Sequence, residues 1–326
     1  MNHSPLLSVL IPLYNCGKFI AQCLESIIAQ DIATPYYEII IVDDGSSDDG
    51  PATAAAFAGK CDNIRIYRQE NLGVSAARNN ALSHARGEYV TFVDADDMLV
   101  AGCLKTLLHT AREHRADVVK AAYAEVSEDA TTCCCTDCVQ GGTYVSIMSG
   151  ADAIVNVCRV REGFCWGYLI RRSLIADNGI CFPDKVSFME DWAFINQILL
   201  KCRTLAHTDL MMYLYRRNSS SCVANMTVEK IMMGSKAIAI VTGLTTNTEG
   251  EVRKKLTHDI CVNINVLLWF TIHYKQIYVR RKTVIKEVCR LLSQLGLLHV
   301  PPVLLLFRLF PDTFIRLRRI MASRTY

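Results

Sequence analysis

The sequence predicts an α/β fold: a mostly parallel sheet flanked by helices, with a helical C-terminal region after it. Three observations carry this. Through roughly the first hundred residues, short apolar runs alternate with segments of helical periodicity. The strongest apolar runs end abruptly in polar, acid-rich clusters. Beyond about Thr227 the pattern is helical almost throughout.

The elements follow in order. Residues 8–13 (SVLIPL) read as a buried strand bounded by turn residues. Phe19, Ile20, Cys23, Leu24, Ile27 and Ile28 then recur at helical spacing, with Gln22 and Glu25 outward. Further strands are expected at 38–42 (EIIIV), 64–67 and 88–93 (EYVTFV), separated by helices near 51–58 and 74–85. Strand, helix, strand at this spacing implies parallel pairing with right-handed crossovers. In such sheets ligands bind beyond the carboxyl ends of the strands, so Asn15, the Asp43-Asp44 pair and the 94–97 cluster should converge on one edge. One more strand is expected at 117–125, then a polar loop with Cys133, Cys134, Cys135 and Cys138, and helices near 150–158 and 191–201 with a short aromatic segment, 164–170, between them. No internal repeat is visible. The expected division is a body, 1–226, with a first half to about residue 100 and a second half from 101, followed by helical residues 227–326.

Composition bounds the class. With 326 residues, 51% hydrophobic and 21% charged, the chain can bury a full core and is not generally disordered. Mean hydropathy is +0.19, yet no run reaches the roughly 18 uninterrupted apolar residues of a spanning helix. The N-terminus lacks the basic region and apolar core of a secretion signal. The chain therefore reads as cytoplasmic, and its 15 cysteines as reduced thiols. Net charge is +3 but unevenly spread: from Glu251 onward there are 14 Lys or Arg and 4 Asp or Glu, while the first 250 residues are acidic on balance.

The sequence Asp94-Ala95-Asp96-Asp97 places three carboxylates just past an apolar strand, where they repel unless a cation or hydrogen bonds offset the charge. Oxygen ligands suit Mg²⁺ or Mn²⁺; a solvated turn capping the helix near Gly102 is the plainer alternative. Asp43-Asp44-Gly45-Ser46-Ser47-Asp48 is a second cluster, suited to accepting hydrogen bonds from a base or ribose or to forming an Asx turn. Residues 71–79 (NLGVSAARN) open a helix whose amides could face an anion, while Arg78 could reach a diphosphate or pair with an aspartate. Glu190 and Asp191 start a helix, where acids are favoured by the dipole and where a general base is also well placed. Cys135 and Cys138 form a C-x-x-C without the second pair a structural zinc site needs. There is no G-x-G-x-x-G after the first strand and no G-x-x-x-x-G-K-[ST], which disfavours dinucleotide and P-loop folds. The basic residues of the tail lie among Leu, Phe and Ile with few stacking aromatics, which argues against nucleic acid.

The set SVLIPLYN, EIIIVDDGSSD, ENLGVSAARNNAL and GEYVTFVDADD resembles inverting glycosyltransferases of family 2, of the bacterial cell-surface polysaccharide type, from Ser8 to about Val100. Looser similarity continues through FCWGYLIRRSLI and MYLYRRNSSS to about Ser221. The resemblance implies a GT-A fold with Mn²⁺ or Mg²⁺, a nucleotide-sugar donor (a UDP-sugar) and a saccharide or lipid-linked saccharide acceptor. It further implies that Pro12, Tyr14 and Asn15 border the nucleotide, that Asp43 binds the base and Asp44 supports that loop, and that Arg78 lies on the base or diphosphate side. Asp94 and Ala95 would lie near the ribose, with Asp96 and Asp97 holding the ion. Asp191 matches the family's catalytic base, beside Glu190. Trp166 would shape the acceptor side, and Arg216, Arg217 and Ser219 would belong to a loop folding over the donor. Gly167-Tyr168 stands where many relatives have a more polar pair after the Trp.

Two other functions fit parts of the pattern. A sugar-1-phosphate nucleotidyltransferase would want a Gly- and Arg-rich loop after the first strand, where residues 14–18 offer one Gly; a non-catalytic nucleotide-sugar binding module would not need Asp43, Asp96 and Asp191 all intact. In the tail, Leu304, Leu305, Leu306, Phe307, Leu309 and Phe310 follow Pro301-Pro302, and Phe314, Ile315, Leu317 and Ile320 are interleaved with Arg316, Arg318 and Arg319. Such helices suit peripheral attachment to anionic lipid on the cytoplasmic face of the inner membrane, or a packed helical subdomain with a basic outer face.

Overall fold

In a computed structural model the described residues are 4–131, 144–217, 226–295 and 301–322. Cys133, Cys134, Cys135, Cys138 and Ser219 lie outside them. The chain divides into two compact units. The first comprises Met1–Ala153, Phe164–Lys185 and Ile198–Ser219; the second comprises Ile154–Gly163, Val186–Gln197 and Ser220–Tyr326.

The first unit is an α/β body. Strands β1 (Leu7–Leu13), β2 (Tyr37–Asp43), β3 (Ile64–Arg68) and β4 (Tyr89–Phe92) all pair in parallel, in the order β3-β2-β1-β4. β2 is buried at every position and β1 at all but Pro12, which is why both read as near-continuous apolar runs. Helix α1 (Gly17–Ile28) buries Ile20, Cys23, Leu24 and Ile27, an i, i+3, i+4, i+7 stripe, and such side chains contribute about 1.5–3 kcal/mol each. Helices α2 (Gly50–Ala58) and α3 (Val74–His84) complete the crossovers.

Beyond β4 the sheet changes character. β5 (Met98–Leu99), β6 (Val118–Val126), β7 (Val145–Met148), β8 (Tyr168–Arg171) and β9 (Leu205–Arg216) extend it, joined by α4 (Cys103–Glu113), α5 (Gly150–Asn156), α6 (Arg172–Asp177) and α7 (Glu190–Lys201). β8 runs antiparallel to both β4 and β6, β9 parallel to β6, and β5 and β7 antiparallel to β9. The 12-residue β9 is absent from the sequence-based expectation because its polar residues, His207, Thr208 and Asp209, interrupt the apolar run.

The amino-terminal edge is locked by Glu38. Ser8 Oγ donates to its Oε1 at 2.6 Å, and Arg65 and Arg86 close on Oε2 at 2.5 and 2.9 Å. Gly87 packs so closely there that a Cβ would meet Ser8 N at 2.5 Å.

The second unit is largely helical: α8 (Val228–Thr245), α9 (Gly250–His273), α10 (Lys275–Val279), α11 (Arg281–Gln294), α12 (Pro302–Leu309) and α13 (Pro311–Ala322). The Thr227 hydroxyl accepts from Lys230 N and caps α8. α8 packs on α9 and α11, and α13 on α9 and α12. Leu304, Phe307 and Ile315, expected as part of a lipid-facing surface, are fully buried, because helical periodicity turns them inward. Leu309 and Phe310 stay exposed.

Candidate functional site

Because β2, β1 and β4 are neighbours and parallel, their carboxyl ends deliver Asp43, Asn15 and Asp94 to one edge of the first unit. The loops after them are tied together. Asn15, in the left-handed region (φ 49°) that asparagine tolerates, takes Ser46 Oγ as acceptor for its amide at 3.1 Å, and its Oδ1 accepts from Ser47 N at 2.9 Å. Asp48 accepts from Gly17 N at 2.7 Å and Gly50 N at 3.0 Å, bracing the starts of α1 and α2. Gly45 makes the turn at φ 78°, and a Cβ there would sit 3.1 Å from Asn71 N.

The two neighbouring aspartates divide the work. Asp44 is engaged by structure: its Oδ1 accepts from Gln69 Nε2 at 2.8 Å and Leu72 N at 2.9 Å and its Oδ2 from Gly73 N at 2.9 Å, so both oxygens help shape the loop. Asp43 is 1% exposed. Its Oδ1 accepts from Ser46 N at 2.8 Å, while its buried Oδ2 has no hydrogen-bond partner, the mostly exposed Arg68 standing off at 3.4 Å. A buried acceptor without a donor is costly and calls for an explanation.

The loop held by Asp44 leads into α3, and from it the buried Arg78 reaches Asp94 Oδ1 at 2.8 Å while lying 5.3 Å from the Phe182 ring. That pairing fixes Arg78 as the organiser of the acidic loop. Cys16 shows that the clusters converge: its thiol is pushed up to about 12 by burial first, then by Asp96, Asp94 and Asp48.

Within 94–97 the side chains diverge. The Ala95 methyl is in the core, so only its backbone could meet a ligand. Asp97, expected at the cation beside Asp96, is turned into the protein: its Oδ2 accepts from the Tyr213 hydroxyl and its Oδ1 from Arg216 N, each at 2.7 Å. Burial, then Asp96 and Asp94, push its carboxyl up to about 8. Asp94 and Asp96 remain partly exposed. Among the described residues no group of three or more His, Cys, Asp or Glu is arranged to hold a metal by itself.

Arg216, expected in a loop over the donor, is instead buried. It donates to Asp96 O at 2.8 Å, Glu128 O at 2.6 Å, Ala130 O at 2.8 Å and Gln22 Oε1 at 2.8 Å, stapling the acidic loop to its surroundings. Arg217 is exposed and pairs with Glu125. Pro12 is half-buried and Tyr14 48% exposed at the end of β1. Trp166 is buried in an aromatic stack, 4.3 Å from both Phe164 and Tyr213. Tyr213, which sequence reasoning missed, accepts from Asp94 N at 3.0 Å as well as holding Asp97. Its signal was the i, i+2 spacing with Tyr215, which places both rings on one face of a strand. Glu190 and Asp191 open α7 and belong to the second unit, Glu190 buried and Asp191 half-buried.

Comparison with known proteins adds to this geometry. Residues 8–133 match the family model described as Glycosyl transferase family 2. The glycosyltransferase GlyG of Streptococcus pneumoniae serotype 4 is 31% identical over 235 residues, covering 67% of this chain and 73% of that protein. The uncharacterized glycosyltransferase EpsJ of Bacillus subtilis is 29% identical over 228 residues, covering 67% of this chain and 62% of that protein. Thus the chain's match takes in about two thirds of the length of such relatives. Residues 1–349 of S. aureus TarS, solved with UDP-GlcNAc, share the fold with a TM-score of 0.79 at 20% identity, covering 98% of this chain and 92% of that one.

Proposed function

The chain belongs to glycosyltransferase family 2, and from that membership we propose that it moves a sugar from a nucleotide-sugar, a UDP-sugar, to an acceptor hydroxyl with inversion. The observation that carries this is Asp43: a buried carboxylate oxygen without a hydrogen bond, at the strand edge where the Asp94–Asp96 loop also lies. A base presenting a ring N–H would satisfy it. The partner in the solved TarS complex, UDP-GlcNAc, carries such a base.

In this reading Asn15 and Tyr14 border the nucleotide, and Arg78 keeps Asp94 in place beside the ribose. Asp96, with Asp94 also partly exposed in the same loop, would hold Mg²⁺ or Mn²⁺. One or two protein carboxylates completed by diphosphate oxygens is a fitting donor set for either ion. When bound, the ion offsets the charge that grows on the departing diphosphate. Asp97 stays outside that set, positioning the loop through Tyr213 and Arg216. Asp191, at a helix start, would take the proton from the acceptor hydroxyl as it attacks the face opposite the leaving group. The acceptor would be a saccharide or lipid-linked saccharide in exopolysaccharide, capsule or O-antigen assembly, a setting supported by the family resemblance.

A nucleotide-sugar screen by thermal shift with Mn²⁺ tests this, since a ligand bound only by the folded chain raises its melting temperature. A UDP-sugar should stabilise the wild type; Asp96→Ala should lose the Mn²⁺-dependent part. Asp191→Asn should keep the shift while transfer falls by a factor on the order of 10² or more. Undiminished transfer in Asp191→Asn removes that residue from the mechanism, and no shift with any nucleotide-sugar removes the donor assignment.

A further inference from the structure

We infer that the second unit carries a corner that inserts into a lipid surface bearing anionic headgroups, built from Val279, Leu309 and Phe310. These side chains are 72%, 69% and 63% exposed. They come from two separate stretches that an ion pair brings together: Arg281 Nε donates to Asp312 Oδ1 at 2.8 Å, joining the start of α11 to the start of α13. Val279 precedes Arg281 by two residues and Phe310 precedes Asp312 by two. Two residues span at most about 7 Å of chain, so Val279 and Phe310 each lie within about that distance of a member of the pair, with Leu309 next to Phe310, and the three gather around it.

Their exposure is selective. On α11, α12 and α13, Val284, Val288, Leu304, Phe307 and Ile315 are fully buried, so an inward apolar face exists, and the three exposed residues lie off it. One exposed apolar residue would be ordinary; three large ones at a single corner mark a contact site.

Charge selects the partner. From 275 to 322 there are 10 Lys or Arg and 2 acids, Glu287 and Asp312. Both acids are already paired, Glu287 with Arg290 and Asp312 with Arg281 and Arg316. Lys282, Lys286 and Arg318 are exposed on the same helices. A second copy of this corner would meet like charge, whereas anionic headgroups would meet opposite charge while the apolar tips enter the acyl boundary. The contact is interfacial, for among the described residues no helix is long and apolar enough to cross a membrane. This inference is independent of the transfer reaction and includes a residue, Val279, outside the stretch that sequence patterning suggested.

The test is co-sedimentation of the full chain with phosphatidylcholine vesicles, with and without phosphatidylglycerol. The wild type should bind the anionic vesicles, and Leu309→Ser/Phe310→Ser should bind roughly tenfold or more weakly, as loss of inserted apolar area implies. Val279→Ser should weaken binding less, and Lys282→Glu/Lys286→Glu should weaken it only on anionic vesicles. Circular dichroism confirms that each variant folds, and donor-induced thermal shift should be unchanged in all of them. Equal binding by wild type and the Leu309/Phe310 variant overturns the proposal. So does a wild-type oligomer, seen by light scattering, that this variant disperses without change in vesicle binding, because the corner would then be a self-association face. Capture by an acidic polypeptide that the variant abolishes while vesicle binding persists also overturns it.

Discussion

Strand β2 carries a buried carboxylate near each end, and the two are treated in opposite ways. Glu38, at the amino-terminal end, has both oxygens engaged, by Ser8 and the Arg86 amide on one and by Arg65 and the Arg86 side chain on the other. Asp43, at the carboxyl end, has one oxygen engaged and one left over. The same strand thus closes one edge of the sheet and leaves the other open to a ligand. A similar contrast separates Arg216, buried among four acceptors, from Arg217, exposed and paired with Glu125. Saturation of a buried polar group marks structure; an unspent atom marks a place where something else is expected.

The largest effect should come from Arg216→Met. Bonds from a charged donor contribute roughly 1.5–3 kcal/mol each and do not add fully, so a loss of about 3–4 kcal/mol is expected in a urea titration. Donor affinity should also fall, because the Asp96 carbonyl loses its anchor. A stability change below about 1 kcal/mol, the range of an exposed pair, would break the contrast with Arg217.

Glu38→Gln should cost about 2–3 kcal/mol by leaving arginine donors short of an acceptor, with donor binding unchanged. Glu38 also carries a pH signature. Burial alone would raise its carboxyl, but the hydrogen bonds from Ser8 and Arg86 and the charge of Arg65 hold it below the ordinary 4.5. A folded value below the unfolded one means stability that is present above 4.5 and is lost as pH falls through the lowered value. Glu38→Gln should therefore flatten the acid limb of stability against pH; an unchanged limb would assign that loss to other carboxylates.

Asp43→Asn inverts the pattern. It keeps one carbonyl oxygen for Ser46 N but puts an amide donor where Oδ2 was, so stability should shift by less than about 1 kcal/mol. Affinity for the nucleotide should drop about tenfold, or about 1.4 kcal/mol, by calorimetry. A stability loss as large as that of Glu38→Gln, with affinity untouched, would make Asp43 another structural carboxylate.

Much of this was legible in the sequence, and the limits are physical. The parallel half could be read because buried strands leave continuous apolar runs and their ends leave acids, as in EIIIVDDG. The convergence of Asn15, Asp43 and Asp94 followed from parallel strands that each end in a polar cluster. The mixed half was less legible, since β5 has two residues and β9 contains a polar interruption. Within the site, residue type located the clusters but not side-chain direction. Asp43 and Asp44, or Asp96 and Asp97, look equivalent in sequence, and only the donors brought by Gln69, Leu72, Gly73, Tyr213 and Arg216 separate them. Arg216 and Arg217 read as one loop motif, yet Arg216 ends β9 facing inward and Arg217, the next residue, faces out.

That difference in direction sets the smallest expected effect. Arg217, just past β9, pairs with Glu125 near the end of β6, with the arginine side chain 71% accessible and the glutamate 43%. Water screens such a pair and holding two long side chains together costs entropy, so Arg217→Ala should change stability by less than about 0.5 kcal/mol. If Arg217 contributes only this surface pair, nucleotide-sugar affinity should also stay within about twofold, under about 0.5 kcal/mol. A large loss of affinity with stability intact would give Arg217 the donor-side role that its burial denies to Arg216. The two neighbours would then divide as Asp43 and Asp44 do, one spent on the fold and one kept for the ligand.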